Sequence, residues 1–383
     1  MTMHGIGFIE RIRGFVKRGL RGKSIDVADT PQIGDRSDRE DEGNATYFER
    51  FCREWEAVRG NYGSRLENRK CPVCGEGGNH PFCRSQDGYE YFTCIACGML
   101  YVPKHFSMSF WNGTYHELPR IAAIESERID KWRSDKTVSQ SDRERFEGYF
   151  NRLRPHLGSF DGRKYLDVGT FFGDALVIAQ EYGLVPYGIE GKGQVAHAVS
   201  QERNFPVVSE CSERLDRSVF GGAFEIVSAF EVLEHTPDPA ESLRRIHANL
   251  ATGGLLIVTV PNADNFELQT LKGDSPTLLG GVVITGHINM FTRSTLERLL
   301  EQTGFRALEV FTQYGSSLHW LYYLATGRAE AIPSYTTIVS PNVAPPTMSE
   351  DAAVALNALQ PRLNRWETEN GHGTILGIIA RKT

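Results

Sequence analysis

The sequence predicts an α/β protein: a mostly parallel β-sheet covered on both faces by helices, with a small cysteine-rich module ahead of it. Three observations predict this. After Gly158, short apolar runs rich in β-branched residues alternate with longer stretches of helical periodicity, the rhythm of strands joined by crossover helices. The first run, Tyr165 to Val168, passes through Asp167 into a turn from Gly169 to Gly173 and then into a helix, an arrangement that brings backbone amides close to a ligand. Upstream, Cys71-Pro-Val-Cys74 and Cys94-Ile-Ala-Cys97 form two Cys-x-x-Cys pairs separated by nineteen residues.

The elements follow in order. Residues 1–24 form a basic amphipathic segment: Phe8, Ile9, Ile12, Phe15, Val16 and Leu20 recur at helical spacing among Arg and Lys, a pattern suited to an anionic membrane surface or to a partner helix. Gly14, Gly19 and Gly22 weaken that helix, and a frayed terminus is the alternative. Residues 25–44 are acidic, nearly devoid of apolar side chains, and read as a disordered linker. Residues 45–115 hold a helix carrying Phe51, Trp55 and Val58, then the cysteine module. Residues 116–157 form a helix-prone connector broken near Arg154-Pro155. Residues 158–383 form the sheet domain. Its strands are expected at Tyr165–Val168, Val185–Ile189, Val207–Ser209, Ile226–Phe230, Leu255–Val260, Ala307–Phe311 and Thr374–Ala380, with helices such as Pro239–Leu250 and Thr295–Thr303 between them. An insertion over 313–373 precedes the last strand and is placed to cover a site at the carboxyl edge of the sheet.

Composition narrows the function. The chain has 383 residues, 40% of them hydrophobic, and a net charge of −6, which argues against a chain-wide nucleic-acid footprint. Apolar runs such as Leu255–Val260 fall far short of the roughly 20 residues of a membrane-spanning helix. Seven cysteines, an odd number, without a secretory signal suggest a reducing compartment, and a cytoplasmic location is expected.

A sheet of this type binds its ligand outside the carboxyl ends of its strands. The Gly169–Gly173 turn lies at the first such end and Glu190, able to accept two hydrogen bonds from a ribose, at the second. Glu210 follows the third strand and could face an adenine amino group, and Phe230-Glu231 closes the fourth. A tight turn and helix-capping acids are the bland reading of the same residues.

Leu166-Asp-Val-Gly-Thr-Phe-Phe-Gly-Asp174, Glu190, Phe230-Glu-Val-Leu-Glu-His235, Thr252 to Asn262 and Leu299 to Phe305 together resemble the class I S-adenosylmethionine-dependent methyltransferases, over roughly 158–311 plus the last strand. The resemblance implies a Rossmann-like sheet whose final strand runs antiparallel. It also implies S-adenosylmethionine as the methyl donor, held at its methionine end by Asp167, Gly169, Thr170, Phe171 and Gly173, at the ribose by Glu190, and near the reaction centre by Phe230 and Glu231, with Glu210 on the adenine side. Phe171 departs from the family pattern, which has glycine there, so its side chain must point away from the donor or the turn must shift. A nicotinamide dehydrogenase is the competing reading, but its G-x-G-x-x-G fingerprint is not met between Gly169 and Gly173.

The matching segments look most like the branch that methylates small hydroxylated acceptors, including sugars. A hydroxyl acceptor must lose a proton, and His235 is the expected base, oriented by Glu234, with His287 a second polar contact or alternative base. Simple helix capping by Glu234-His235 and a satisfied buried His287 are the alternatives. Some relatives with this motif are associated with a divalent cation, for which Glu231, Glu234 and His235 could be ligands.

Cys71, Cys74, Cys94 and Cys97 can present four thiolates to a structural zinc. Aromatic residues between the pairs accompany few basic ones, which favours a structural or acceptor-gripping role over nucleic-acid binding. Similar modules accompany deoxysugar C-methyltransferases, where a base removes a proton from carbon beside a ketone. The expected partner is therefore a small-molecule or glycan acceptor, with oxygen methylation preferred and carbon methylation the alternative. A non-catalytic adaptor with a degenerate fold is the reading from another class, and residues 8–23 are a candidate peripheral membrane contact.

Overall fold

The computed structural model describes residues 47–84, 89–115, 118–271, 286–316, 320–321 and 350–383. The basic segment 1–24 and the acidic linker 25–44 lie outside them.

In chain order the elements are α1 (Tyr47–Tyr62), β1 (Leu66–Asn68), β2 (Asn79–Arg84), β3 (Glu90–Cys94), β4 (Leu100–Tyr101), β5 (Lys104–Phe106) and α2 (Met108–Gly113). Two longer helices follow, α3 (Pro119–Ser134) and α4 (Gln140–Leu157). The alternating part runs β6 (Lys164–Val168), α5 (Asp174–Glu181), β7 (Val185–Glu190), α6 (Gly193–Arg203), β8 (Val207–Ser209), β9 (Phe224–Phe230), α7 (Pro239–Asn249), β10 (Leu250–Pro261) and α8 (Phe266–Leu271). It ends with β11 (Asn289–Met290), α9 (Arg293–Gln302), β12 (Phe305–Gln313), α10 (Glu350–Glu369) and β13 (Ile375–Lys382).

Seven strands form one sheet in the order β12-β13-β10-β9-β6-β7-β8. The strands β10, β9, β6, β7 and β8 are mutually parallel, and β13 runs antiparallel to both of its neighbours, as the resemblance implies for the last strand. Side chains alternate across a strand, so each strand feeds two cores. Leu166 and Val168 join Val227, Leu256 and Val258 beneath α7 and α9, packing against Leu243, Leu296 and Leu299. Tyr165, Ile226, Leu255 and Ile257 face the other way, onto Phe150, Leu153, Ile178 and Val199 of α4, α5 and α6. Truncating any of these fully buried aliphatic side chains to alanine costs about 2–5 kcal/mol.

Local chemistry sets the helix starts. Asp238 accepts a hydrogen bond from the Glu241 amide at 2.9 Å ahead of Pro239, the first residue of α7, and Thr292 and Thr295 form a capping box on α9. One expectation is corrected: α4 is not broken at Arg154-Pro155 but continues through Pro155 to Leu157. Pro155 stands two residues before the helix end, so the one backbone hydrogen bond it removes lies in the last turn, and the helix stops at Gly158, whose φ is +77°.

The cysteine module is not a separate bead on the chain. Strand β11, from the sheet domain, pairs antiparallel with β4 and extends the module to four strands in the order β11-β4-β3-β2. Cys71, Val73, Met99 and Tyr101 belong to the same core as Leu233, Phe291 and Leu296. A third core gathers Trp55, Tyr91, Phe106 and Phe110 from the module with Phe266, Ile288 and Met290 from the sheet domain. Cys83 is buried among these side chains, and His80 is exposed. No helix among the described residues is long and apolar enough to cross a membrane.

Within 313–373, the Glu367 carboxylate of α10 accepts hydrogen bonds from the Ser316 amide at 2.6 Å and the Ser316 hydroxyl at 2.7 Å. Burial pushes the Glu367 carboxyl from an ordinary 4.5 up to about 8. A folded-state pKa raised above the unfolded value contributes stability that is complete below the unfolded pKa and is lost as pH rises through the folded one. The wild-type melting temperature is therefore expected to fall as pH rises from about 5 to about 9, and Glu367→Gln to flatten that fall, read by calorimetry across the range.

Candidate active site

The carboxyl ends of β6, β7, β8 and β9 open onto one cavity of about 520 Å³. Asp167, Gly169, Thr170, Phe171, Glu190, Glu210, Phe230, Glu231 and His235 line it together. Gly173 lies just behind, as the left-handed residue (φ +77°) that opens α5.

The glycine turn is held by its neighbour strand, with the Gly169 and Thr170 amides donating to the Ile189 carbonyl at 2.9 and 3.0 Å. Gly169 has φ +75°, and a Cβ there would stand 2.6 Å from the Val232 methyl Cγ2, so only glycine fits. Asp167 is buried beneath the turn and accepts a hydrogen bond from Ser228, which also bonds Tyr165 at 2.6 Å. Burial raises the Asp167 carboxyl to about 6, against the opposing pull of Ser228.

Phe171 occupies the position where the family pattern has glycine, and the backbone answers with φ +47°, in the left-handed region. Its amide donates to Glu190 Oε2 at 2.9 Å, while Glu190 Oε1 accepts from the Lys192 amide at 2.9 Å. The Phe171 ring packs on Phe172, 4.1 Å between centroids, and under the Arg128 guanidinium of α3 at 4.6 Å. Phe172 in turn stacks on Trp132 at 5.1 Å. The turn thus keeps its hydrogen-bonding role while its extra side chain is taken up by the connector helix. Glu190 retains lone pairs toward the cavity, which fits a ribose diol. Glu210 Oε1 accepts the Cys211 amide at 2.9 Å at the far end.

Phe230 stacks on Tyr149 of α4 at 4.7 Å, and Glu231, at φ +55°, donates its amide to the Thr259 carbonyl at 3.0 Å. Burial pushes the Glu231 carboxyl up to about 7. Glu234 is fully buried, and burial, with Glu231 nearby, pushes its carboxyl well above the usual range. Its Oε1 lies 3.9 Å from His235 Nε2 and 4.0 Å from His287 Nε2. The groups that converge are therefore Glu234, His235 and His287, within 4.8 Å of one another; the cation set suggested by the sequence had Glu231 where the structure has His287.

His235 Nδ1–H donates to the Gly286 carbonyl at 3.0 Å, which leaves Nε2 with a free lone pair. Burial lowers the His235 imidazolium to about 4, a depression tempered by water in the open cavity, onto which 48% of the side chain is exposed. His287 is buried and is pushed well below the ordinary value by burial and by His235, whose ring centroid is 4.7 Å away. Both imidazoles are thus neutral near pH 7.

Several contributors escape a sequence reading. Arg145 and Phe146 of α4 and Trp111 and Tyr115 after the cysteine module all line the cavity. Arg145 was hidden in a charge-rich helix, and only its position one residue before the apolar stripe of Phe146, Tyr149 and Phe150 marks its face. Among the described residues of 313–373, none lines the cavity.

At the cysteine cluster, Cys71 Sγ lies 3.5 Å from Cys97 Sγ and Cys74 Sγ 3.5 Å from Cys94 Sγ. Four thiolates around a tetrahedral zinc stand about 3.8 Å apart, given Zn–S bonds of about 2.3 Å. The four sulfurs fit such an ion, and at 3.5 Å none is within bonding distance of another.

Glu190→Ala removes the acceptor of both loop amides, and Gly169→Ala drives a methyl into Val232. Each is expected to weaken S-adenosylhomocysteine binding by about 10-fold or more in isothermal titration, since each breaks the cradle rather than one contact. Wild-type affinity in both variants would sink the assignment of this turn.

Residues 140–310 match the family model described as a methyltransferase domain. Among solved structures, the chain is similar to an S-adenosylmethionine-dependent methyltransferase from Archaeoglobus fulgidus, at 21% identity and a TM-score of 0.39, covering 62% of this chain and 94% of that one. It is also similar to magnesium protoporphyrin IX methyltransferase from Synechocystis PCC 6803 with bound SAH, at 12% identity and a TM-score of 0.41, covering 72% and 98%. No curated protein matches the chain. With the family match over 140–310 and the seven-stranded sheet ending in an antiparallel strand, this protein is an enzyme carrying a class I S-adenosylmethionine-dependent methyltransferase domain.

Proposed function

We propose that the enzyme methylates a hydroxyl group of a small polar acceptor, a sugar or glycan, with His235 as the general base. The observation that carries this reading is the continuity of one cavity from Glu190 to His235, with the imidazole proton fixed on Nδ1 by Gly286. S-adenosylmethionine, when bound, supplies a methyl group on a sulfonium. Glu190 and the Gly169–Gly173 turn align that group, and Phe230, Phe146 and Trp111 give the cavity apolar walls. His235 Nε2 takes the acceptor's proton as its oxygen bonds the methyl carbon, while the carbon–sulfur bond breaks and S-adenosylhomocysteine leaves. The positive charge lost from sulfur reappears on the imidazolium, close to Glu234.

A second reading, carbon methylation beside a ketone, draws on the pair of neutral imidazoles, His235 and His287, 4.7 Å apart. Enolisation needs a base for the carbon-bound proton and a donor for the ketone oxygen, and two adjacent histidines can serve both needs. The two readings separate in a methyl-transfer assay with radiolabelled donor on hydroxyl-bearing and keto-sugar nucleotides, followed by product analysis. His235→Ala is expected to lower turnover by about 100-fold or more with the donor affinity unchanged. Wild-type turnover in that variant removes His235 as base, and donor binding without turnover on either class supports an adaptor.

The cysteine cluster is assigned to a structural zinc, and a reducing, cytoplasmic setting is assigned with it. Elemental analysis of the purified chain is expected to find one zinc per molecule, lost in Cys97→Ser together with several degrees of melting temperature. A metal-free wild type of unchanged stability would overturn the zinc assignment.

A further inference from the structure

Two loops carry the acid–base groups, the turn after β9 with Glu234 and His235, and the segment before β11 with His287. Both converge on one side chain of the cysteine module, Arg69, two residues before Cys71. The partly buried guanidinium donates from Nη1 to the Pro237 carbonyl at 2.9 Å, and from Nη2 to the Ile288 carbonyl at 2.6 Å and to Asn289 Oδ1 at 2.7 Å. Its Nε donates to the Val102 carbonyl at 3.0 Å, and its own backbone amide donates to Pro103 at 2.8 Å.

The clamp continues through Asn289. With Oδ1 taken by Arg69, the Asn289 amide nitrogen donates to the Leu233 and Thr236 carbonyls, both at 2.8 Å. The Ile288 and Asn289 backbone amides close on the Glu234 carbonyl at 2.8 and 3.1 Å. The module adds two more ties, from the Val102 amide to the Ile288 carbonyl at 3.0 Å and from the Tyr91 hydroxyl to the His287 carbonyl. Arg69 thus satisfies carbonyls of both loops at once, and a planar, five-donor fork is the side chain able to do this.

We propose that Arg69 is a positioning residue: it locks the His235 loop and the His287 segment to each other and to the cysteine module, so that the module sets the geometry of the acid–base groups. This rests on the reading of those histidines as acceptor-side groups. The fold needs no such tie to bind the donor, because the Gly169 turn and Glu190 are anchored on β6 and β7.

Hydrogen exchange of the full chain, read by mass spectrometry, tests it. In Arg69→Met, amides of 233–237 and 286–291 are expected to exchange about tenfold faster or more, while 168–174 and 188–193 keep wild-type protection. S-adenosylhomocysteine affinity is expected to stay within about twofold, since a two-fold change is only about 0.4 kcal/mol. Millimolar guanidinium ion is expected to restore part of the lost protection in Arg69→Ala, a rescue that general destabilisation does not give. Should Arg69→Met fail to fold, Tyr91→Phe removes a single hydroxyl and is expected to loosen 286–291 alone. Wild-type exchange in these loops in every folded variant, or a rise spread evenly over the sheet, overturns the proposal. Wild-type turnover in both His235→Ala and His287→Ala, with the exchange pattern as expected, overturns the acceptor-side reading and leaves the clamp standing.

Discussion

The side of the cavity proposed for the donor hangs on one buried carboxylate. Glu190 ends β7 and accepts amides from two different loops, Phe171 on one side and Lys192 on the other. A carboxylate with two backbone donors is held at a fixed angle, so the turn after β6 and the loop before α6 cannot move independently. The positive φ of Phe171 is a consequence: its amide must aim at Glu190, and the ring is left to find a partner elsewhere. The partner is α3, through Arg128 and Phe172, which makes the connector helix part of the donor site's frame.

The side of the cavity proposed for the acceptor follows a different logic. Glu234, His235 and His287 are brought together by a turn and by a segment more than fifty residues later in sequence, with no common strand beneath them. Their shared property is desolvation. Burial holds the carboxyl of Glu234 toward its protonated form and the imidazoles toward their neutral forms, so the cluster carries little net charge in a place where charge would be costly. Such a cluster is suited to moving a proton rather than to storing one.

Much of this was legible in the sequence, for reasons that differ by element. The parallel strands are short, doubly buried and bounded by turn residues, so their apolar runs announce them, and the antiparallel last strand came with the family resemblance. The places of Asp167, Gly169 and Glu190 on the cavity could be read because they depend on backbone position at strand ends, which spacing encodes. Arg145, Trp111 and Tyr115 could not, because their place in the cavity depends on how α4 and the cysteine module pack against the sheet. Pro155 misled because α4 ends only two residues beyond it, so a residue that reads as a break sits in the helix's last turn. The two-residue β11 was invisible, since nothing in Asn289-Met290 indicates that its partner lies near residue 100.

That short strand has a consequence for how the molecule can be divided. The segment matched by the family model, 140–310, begins after the cysteine module and ends inside β12. A fragment cut to those bounds would lose β13, which fills the sheet between β10 and β12, and β4, the strand that β11 pairs with. It would bare the edges of β10 and β11 together with Leu233, Phe291 and Leu296, an apolar face next to unpaired strand edges, the combination that drives chains to aggregate. The unit of sequence kinship is therefore smaller than the unit of folding. Because the closing contacts join Arg69 to Ile288 and Asn289, some two hundred positions apart, the loops around His235 and His287 can close only after both segments have been made.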